Sequence, residues 1–174
     1  IIPIQCSYFP STAFLDLKLT GLQGDVMKES MTVAKTLAWN LTSKKTQNKI
    51  KKDEGFKNIG LHLHCPEGAV PKDGPSAGTA ITVTIYSILN NKKIKNDIAI
   101  TGEITLKGNI TEIGGLDIKI LGGIKAGVKH FIFPEKNKKE FENFMEKHKD
   151  KPYLNNIKFT KVSTIQEVLK IVFV

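Results

Sequence analysis

Asp73-Gly74-Pro75-Ser76-Ala77-Gly78 is the stretch of this sequence with the most chemistry in it. Ser76 stands between small residues, behind a loop stiffened by Pro71 and Pro75 and just before a segment with helical spacing. A hydroxyl placed there is exposed, and the free N–H groups of a helix N-terminus point near it, which suits an attacking serine beside an oxyanion site. The same position also suits a serine that only caps the helix, and the hexapeptide alone leaves both roles open.

Residues 74–78 satisfy G-x-S-x-G, the nucleophile elbow of α/β-hydrolases. That elbow needs a strand running directly into the serine, whereas Pro71 and Pro75 make this approach a loop, and 174 residues is short for that fold. The four histidines, His62, His64, His130 and His148, offer no evident triad. A serine without histidine needs another base, and neutral lysine is the known substitute. Lys119, within Gly114-Gly115-Leu116-Asp117-Ile118-Lys119-Ile120, is the candidate. Apolar neighbours and the positive end of a helix would both disfavour its ammonium form, an effect Asp117 would oppose at close range. The plain alternative is a solvated surface lysine. His62 and His64 fall on one face of a strand, a frequent start of a metal site; no third ligand is evident and no metal is expected.

These groups need elements to hold them. Val26, Met27, Met31, Ala34, Leu37 and Ala38 make a helical stripe over 25–39, with Asp25 as N-cap. Ser43–Glu54 carries Lys44, Lys45, Lys49, Lys51 and Lys52 with little apolar patterning and reads as a solvated loop. Ile59, Leu61 and Leu63 alternate with polar or small residues as a strand that ends at Pro66, and Glu67–Pro75 is irregular. Residues 77–89 contain a β-branched run that favours a strand, but their length and the spacing of Ala77, Ile81, Ile85, Ile88 and Leu89 predict a helix. Short strands follow at 98–101, 103–106 and 110–112, the last two joined by a turn at Lys107-Gly108-Asn109. A helix from Leu116 to about Gly127, a strand over 128–133 and an amphipathic helix over 135–147 come next. Ser163 and Gln166 make a capping box for a last helix through Val172. The expectation is a mixed α/β (α+β) fold, one compact domain over 1–174, with short strands packed on about four helices.

Bulk properties narrow the classes. A 40% hydrophobic, 25% charged chain is that of an ordinary globular protein, and no apolar run reaches the roughly 20 residues of a membrane-spanning helix. Cys6 and Cys65 are far apart, so neither a zinc site nor a disulfide framework is expected, and a reducing compartment fits. The net charge of +9 could attract nucleic acid, but no aromatic residues interleave with the clustered lysines, and such binding is not expected. The chain opens on Ile1-Ile2-Pro3-Ile4 without Met and reads as a piece of a longer protein.

GLHLHCPEGAVPKDGPSAG (60–78), AITGEITLKGNITEIGGLDIK (99–119) and AGVKHFIFPEKN (126–137), preceded by GLQGDVMKES (21–30), resemble consecutive blocks of the Lon protease proteolytic domain, in that family's order. The resemblance implies that Ser76 is the nucleophile, Lys119 its partner, and Thr101 the hydroxyl that helps hold the lysine. It places Glu67, Asp73 and Gly74 in the loop that shapes the site, and His62 and His64 on the strand leading to it. Two departures stand out. Gly122-Gly123 replaces the small residues such as Ala that usually follow the lysine, which should cost the helix about 1 kcal/mol each. Asp117-Ile118 replaces the usual Lys-Glu.

By resemblance, the parent protein is a homo-hexamer that degrades unfolded or damaged proteins. Its ATPase module, with ATP and Mg, unfolds substrates and threads them to this domain. No Walker A motif occurs in the chain, so no cofactor is expected within it. The mitochondrial matrix is the expected compartment, on the HLH block, with the bacterial cytoplasm as alternative. A competing reading is a Lon-like domain without peptidase activity, serving assembly or DNA contact; the intact set Ser76, Lys119 and Thr101 argues against it.

Overall fold

The computed structural model describes residues 1–21, 23–66 and 69–174. Strand β3 (Ile59–His64) lies between β1 (Gln5–Pro10), antiparallel to it, and β2 (Leu17–Thr20), parallel to it. The alternation seen in the sequence is realised here: Leu61 and Leu63 are fully buried, while His62 and His64 are half-buried on the other face. A second sheet, all parallel, has the order β4 (Ile98–Ile100), β7 (His130–Pro134), β8 (Lys158–Val162). A small hairpin joins β5 (Glu103–Ile104) to β6 (Ile110–Thr111). The helices are α1 (Asp25–Leu41), α2 (Lys44–Lys52), α3 (Gly78–Asn90), α4 (Leu116–Lys125), α5 (Lys138–His148) and α6 (Ile165–Leu169).

Helix α3 sits between the two halves of the core. Its Ile81 and Ile85 join Met27, Met31, Leu61 and Leu63 in one cluster, and its Val83 joins Ile132, Val162 and Ile165 in the other. Burial on both sides explains why a β-branched run is helical, since packing outweighs propensity differences of under 1 kcal/mol per residue. The threonines stay satisfied within the helix: Thr82 and Thr84 donate to the carbonyls of Gly78 (2.8 Å) and Ala80 (2.9 Å). A third cluster, with Leu116, Ile120, Phe131, Phe133 and Phe144, packs α4 and α5 against β7.

The mixed α/β architecture is the expected one, with six α-helices among the described residues where about four were expected. The segment read as a lysine-rich loop is mostly α2. Ser43 caps it by accepting the Thr46 N–H at 3.2 Å, and the buried Gln47 and Ile50 dock it while the lysines stay outside. Two contacts per two turns give too narrow a stripe to register as periodicity. The strands β1, β2 and β8 were not anticipated. The last helix ends at Leu169, and its cap is Thr164 with Glu167, one residue beyond the expected pair. No helix among the described residues is long and apolar enough to cross a membrane.

Candidate active site

The loop leaving β3 ends in a tight turn. The Gly78 N–H donates to the Pro75 carbonyl at 3.1 Å, which makes Ser76 and Ala77 the central pair. Ala77, at φ −86° and ψ −7°, has the second central conformation of a type I turn. Among the described residues no strand runs into the serine, as the elbow of α/β-hydrolases requires. The turn is clipped to the segment after β4: the Gly102 N–H donates to the Ser76 carbonyl at 2.8 Å, and Thr79 donates to the Gly102 carbonyl through its N–H (3.0 Å) and hydroxyl (2.8 Å). The Thr101 hydroxyl also points to the Ser76 carbonyl, at 3.4 Å, and so braces the serine backbone.

Asp73 ties the same loop to α1. Its Oδ1 accepts the N–H groups of Met27 (3.0 Å) and Gly74 (2.8 Å), while the Gly24 N–H donates to the Lys72 carbonyl (2.7 Å). These N–H donors, Met27 first, hold the Asp73 carboxyl below its ordinary value. The N-cap of α1 is therefore Gly24, with the capping oxygen supplied from the loop, and the expected cap Asp25 is the first residue of the helix. Gly74 turns the chain at φ +105°, a conformation glycine adopts without strain. Glu67 lies outside the described residues.

Lys119 enters from α4, one turn past its start. Its Nζ lies 2.9 Å from the Ser76 Oγ, although the two residues are 43 apart in sequence. Burial pushes the Lys119 ammonium below its ordinary value of 10.5, and the Glu140 carboxylate partly opposes this. Asp117, which the sequence left as a concern, is exposed and accepts the Ile118 N–H at 2.8 Å. The start of α4 is held by α5 and the residue before it. Glu140 Oε1 accepts the Leu116 N–H (2.8 Å), and its Oε2 accepts from Asn137 Nδ2 (2.9 Å). Asn137 in turn pairs with both backbone groups of Ile113, accepting at 3.0 Å and donating at 2.8 Å. Sequence reasoning missed Asn137 and Glu140 as site residues. The only signal was that Asn137 closes the block 126–137.

Ser76, Thr101 and Lys119 line a cavity of about 570 Å³ whose other walls include Ile98, Ile100, Leu116, Ile120 and Phe131. His62 and His64 stand elsewhere, their Nε2 and Nδ1 converging on the Thr20 hydroxyl at 2.8 and 2.7 Å. Among the described residues, no three His, Cys, Asp or Glu side chains are grouped to hold a metal.

Comparison with known proteins matches residues 1–174 to the family described as the Lon protease (S16) C-terminal proteolytic domain. A Lon protease of Fervidobacterium nodosum is 43% identical over 155 residues, covering 89% of this chain and 18% of that protein. Lon proteases of Mycoplasma mycoides (40% over 173 residues, 99% of this chain and 20% of that protein) and Fusobacterium nucleatum (44% over 159 residues, 91% and 20%) are similar in the same way. The chain thus spans about a fifth of the length of these relatives. They are bacterial and give the mitochondrial expectation no support, favouring the bacterial alternative. With a family model over the whole chain and identities of 40–44%, the chain belongs to the family of Lon protease proteolytic domains.

Proposed function

We propose that this chain is a serine endopeptidase domain that cleaves peptide bonds by acyl transfer, with Ser76 as nucleophile and Lys119 as general base. The observation that carries the reading is the 2.9 Å approach of the Lys119 amine to the Ser76 hydroxyl, in surroundings that disfavour the ammonium. Neutral Lys119 accepts the Ser76 proton as Oγ attacks the peptide carbonyl carbon. The N–H groups of Ser76 and Ala77, at the start of α3, stabilise the oxyanion. The Lys119 ammonium then protonates the leaving amine as the C–N bond breaks, leaving an ester on Ser76. Lys119 next takes a proton from water as its oxygen attacks the ester, then returns that proton to Ser76 Oγ as the ester C–O bond breaks, which releases the acid and restores the neutral amine. The apolar cavity beside the pair would receive an apolar substrate side chain.

The wider assembly belongs to the same proposal. Substrates are unfolded or damaged proteins, delivered within a homo-hexamer by an ATPase module that uses ATP and Mg, in the bacterial cytoplasm. The chain itself needs no cofactor and binds no nucleic acid. Labelling with a fluorophosphonate followed by peptide mapping tests the nucleophile: the adduct should fall on Ser76 and be lost in Lys119→Met. An adduct on another serine, with peptide cleavage abolished, would refute the assignment.

A further inference from the structure

We propose that Asn137 and Glu140 form a positioning bracket that fixes the first turn of α4 and thereby sets the Lys119 amine against Ser76. This inference rests on the reading of Ser76 and Lys119 as the reacting pair. Lys119 is the fourth residue of α4, and its own N–H closes on the Gly115 carbonyl at 3.1 Å, so wherever the first turn moves the lysine follows. That first turn has no side-chain cap of its own: its N-cap is Gly115, in a left-handed conformation. The missing acceptor comes from α5. One Glu140 oxygen takes the Leu116 N–H, at the first position of the helix, and the other takes the amide of Asn137. Asn137, itself buried, pairs with both the N–H and the carbonyl of Ile113, two residues before the cap. The strand of chain entering α4 is therefore gripped at Ile113 and at Leu116 by two side chains that are themselves joined.

The chemistry of the two groups is specific. Glu140 accepts on both oxygens, which only a carboxylate does; a glutamine there would turn an NH₂ toward either the Leu116 N–H or the Asn137 amide. Asn137 donates twice with its nitrogen and accepts with its oxygen, a combination that aspartate cannot reproduce. Glu140 is also the carboxylate whose charge acts on Lys119. Among the described residues, α3, β4 and β7 send no charged side chain into the cavity around Lys119; Lys95 lines the same cavity, and Asp117 on α4 is exposed. Removing the Glu140 charge therefore disfavours the ammonium further.

The test is steady-state peptidase kinetics against pH in the natural full-length protein, for wild type, Glu140→Ala, Glu140→Gln, Asn137→Ala and Ser76→Ala, with circular dichroism as the folding control. Glu140→Ala and Asn137→Ala should lower kcat by on the order of 10²-fold with KM unchanged, since a displaced base slows chemistry without touching substrate. Glu140→Gln should fold, lose less in kcat, and move the acid limb of the pH profile to lower pH, which a merely structural carboxylate would not do. A folded Glu140→Ala with wild-type kcat, beside an inactive Ser76→Ala, would overturn the bracket. If Glu140→Ala does not fold, Glu140→Gln decides, and a wild-type kcat and pH profile there would overturn it. Activity surviving in Ser76→Ala would instead remove the dyad reading on which the bracket stands.

Discussion

The Phe131 ring lies against the backbone of Gly123, so closely that a Cβ on this glycine would stand 2.3 Å from the ring's Cε1 and 2.6 Å from its Cζ. Gly123 is on α4, one turn beyond Lys119, and Phe131 is on β7. The glycine is what lets the helix that carries the lysine approach the sheet. Gly122, beside it, has nothing within 4 Å of its Cβ position. The pair that looked in the sequence like a soft support for Lys119 is therefore one packing device and one tolerant site.

It follows that the two alanine substitutions differ in sign. Gly122→Ala should stabilise the protein by about 1 kcal/mol, the helix-propensity difference. Gly123→Ala should destabilise it by roughly 1–3 kcal/mol through overpacking, and lower peptidase activity by shifting α4. Denaturant unfolding of both variants decides, and equal effects would contradict this account of the packing.

The second prediction concerns the loop that leads to Ser76. A Cβ on Gly24 would stand 2.3 Å from the Asp73 Cγ, so Gly24→Ala should displace the carboxylate from the end of α1 and lower the melting temperature. The Asp73 pKa is depressed in the folded protein, so its charge adds stability above the ordinary value of 3.8, and that stability is lost as pH falls through the folded value. Asp73→Asn retains an acceptor for the Met27 N–H but no charge. Its deficit in melting temperature should be full at neutral pH and shrink in acid; a deficit independent of pH would contradict the electrostatic role.

Much of this was legible in the sequence, and what was not is physically specific. The loop, its serine, the helix after it and the lysine on another helix followed from proline positions, period and the resemblance of the blocks. The strand Ile59–His64 followed from strict alternation. The strand β2 (Leu17–Thr20) was missed because four residues, three of them half-buried, are too few to show a period. The capping of α1 by Asp73, 46 residues from Met27, and the grip of Glu140 on Leu116 were invisible because each joins segments whose proximity only the fold creates. Asn137 and Glu140 read simply as the polar side of an amphipathic helix.

A third prediction separates chemistry from folding. Ser76→Ala should abolish peptide cleavage and leave the circular dichroism and melting temperature nearly unchanged. The turn is held by backbone bonds from Gly78 and Gly102, not by the hydroxyl. A variant that melts far below wild type would show that the hydroxyl has a structural role instead.

The fourth concerns energy coupling. The sequence carries no Walker A motif, so residues 1–174 alone should not degrade a folded protein with or without ATP, though slow cleavage of short or unfolded peptides is expected. ATP-stimulated proteolysis by this chain alone would contradict the assignment of unfolding to a separate module.

The most direct test of the central claim is peptidase rate against pH for wild type and Lys119→Arg, with circular dichroism as the folding control. An unperturbed lysine, with the ordinary value of 10.5, has only about one molecule in a thousand in the neutral form at pH 7.5. Burial lowers the Lys119 value, so the neutral amine required of a base becomes available at lower pH, and activity should rise with pH to an inflection below that of an ordinary lysine. Arginine keeps the charge and most of the length but stays protonated, so Lys119→Arg should fold and be nearly inactive at every pH. A folded Lys119→Arg as active as wild type, with the same pH profile, would contradict the claim that Lys119 is the base.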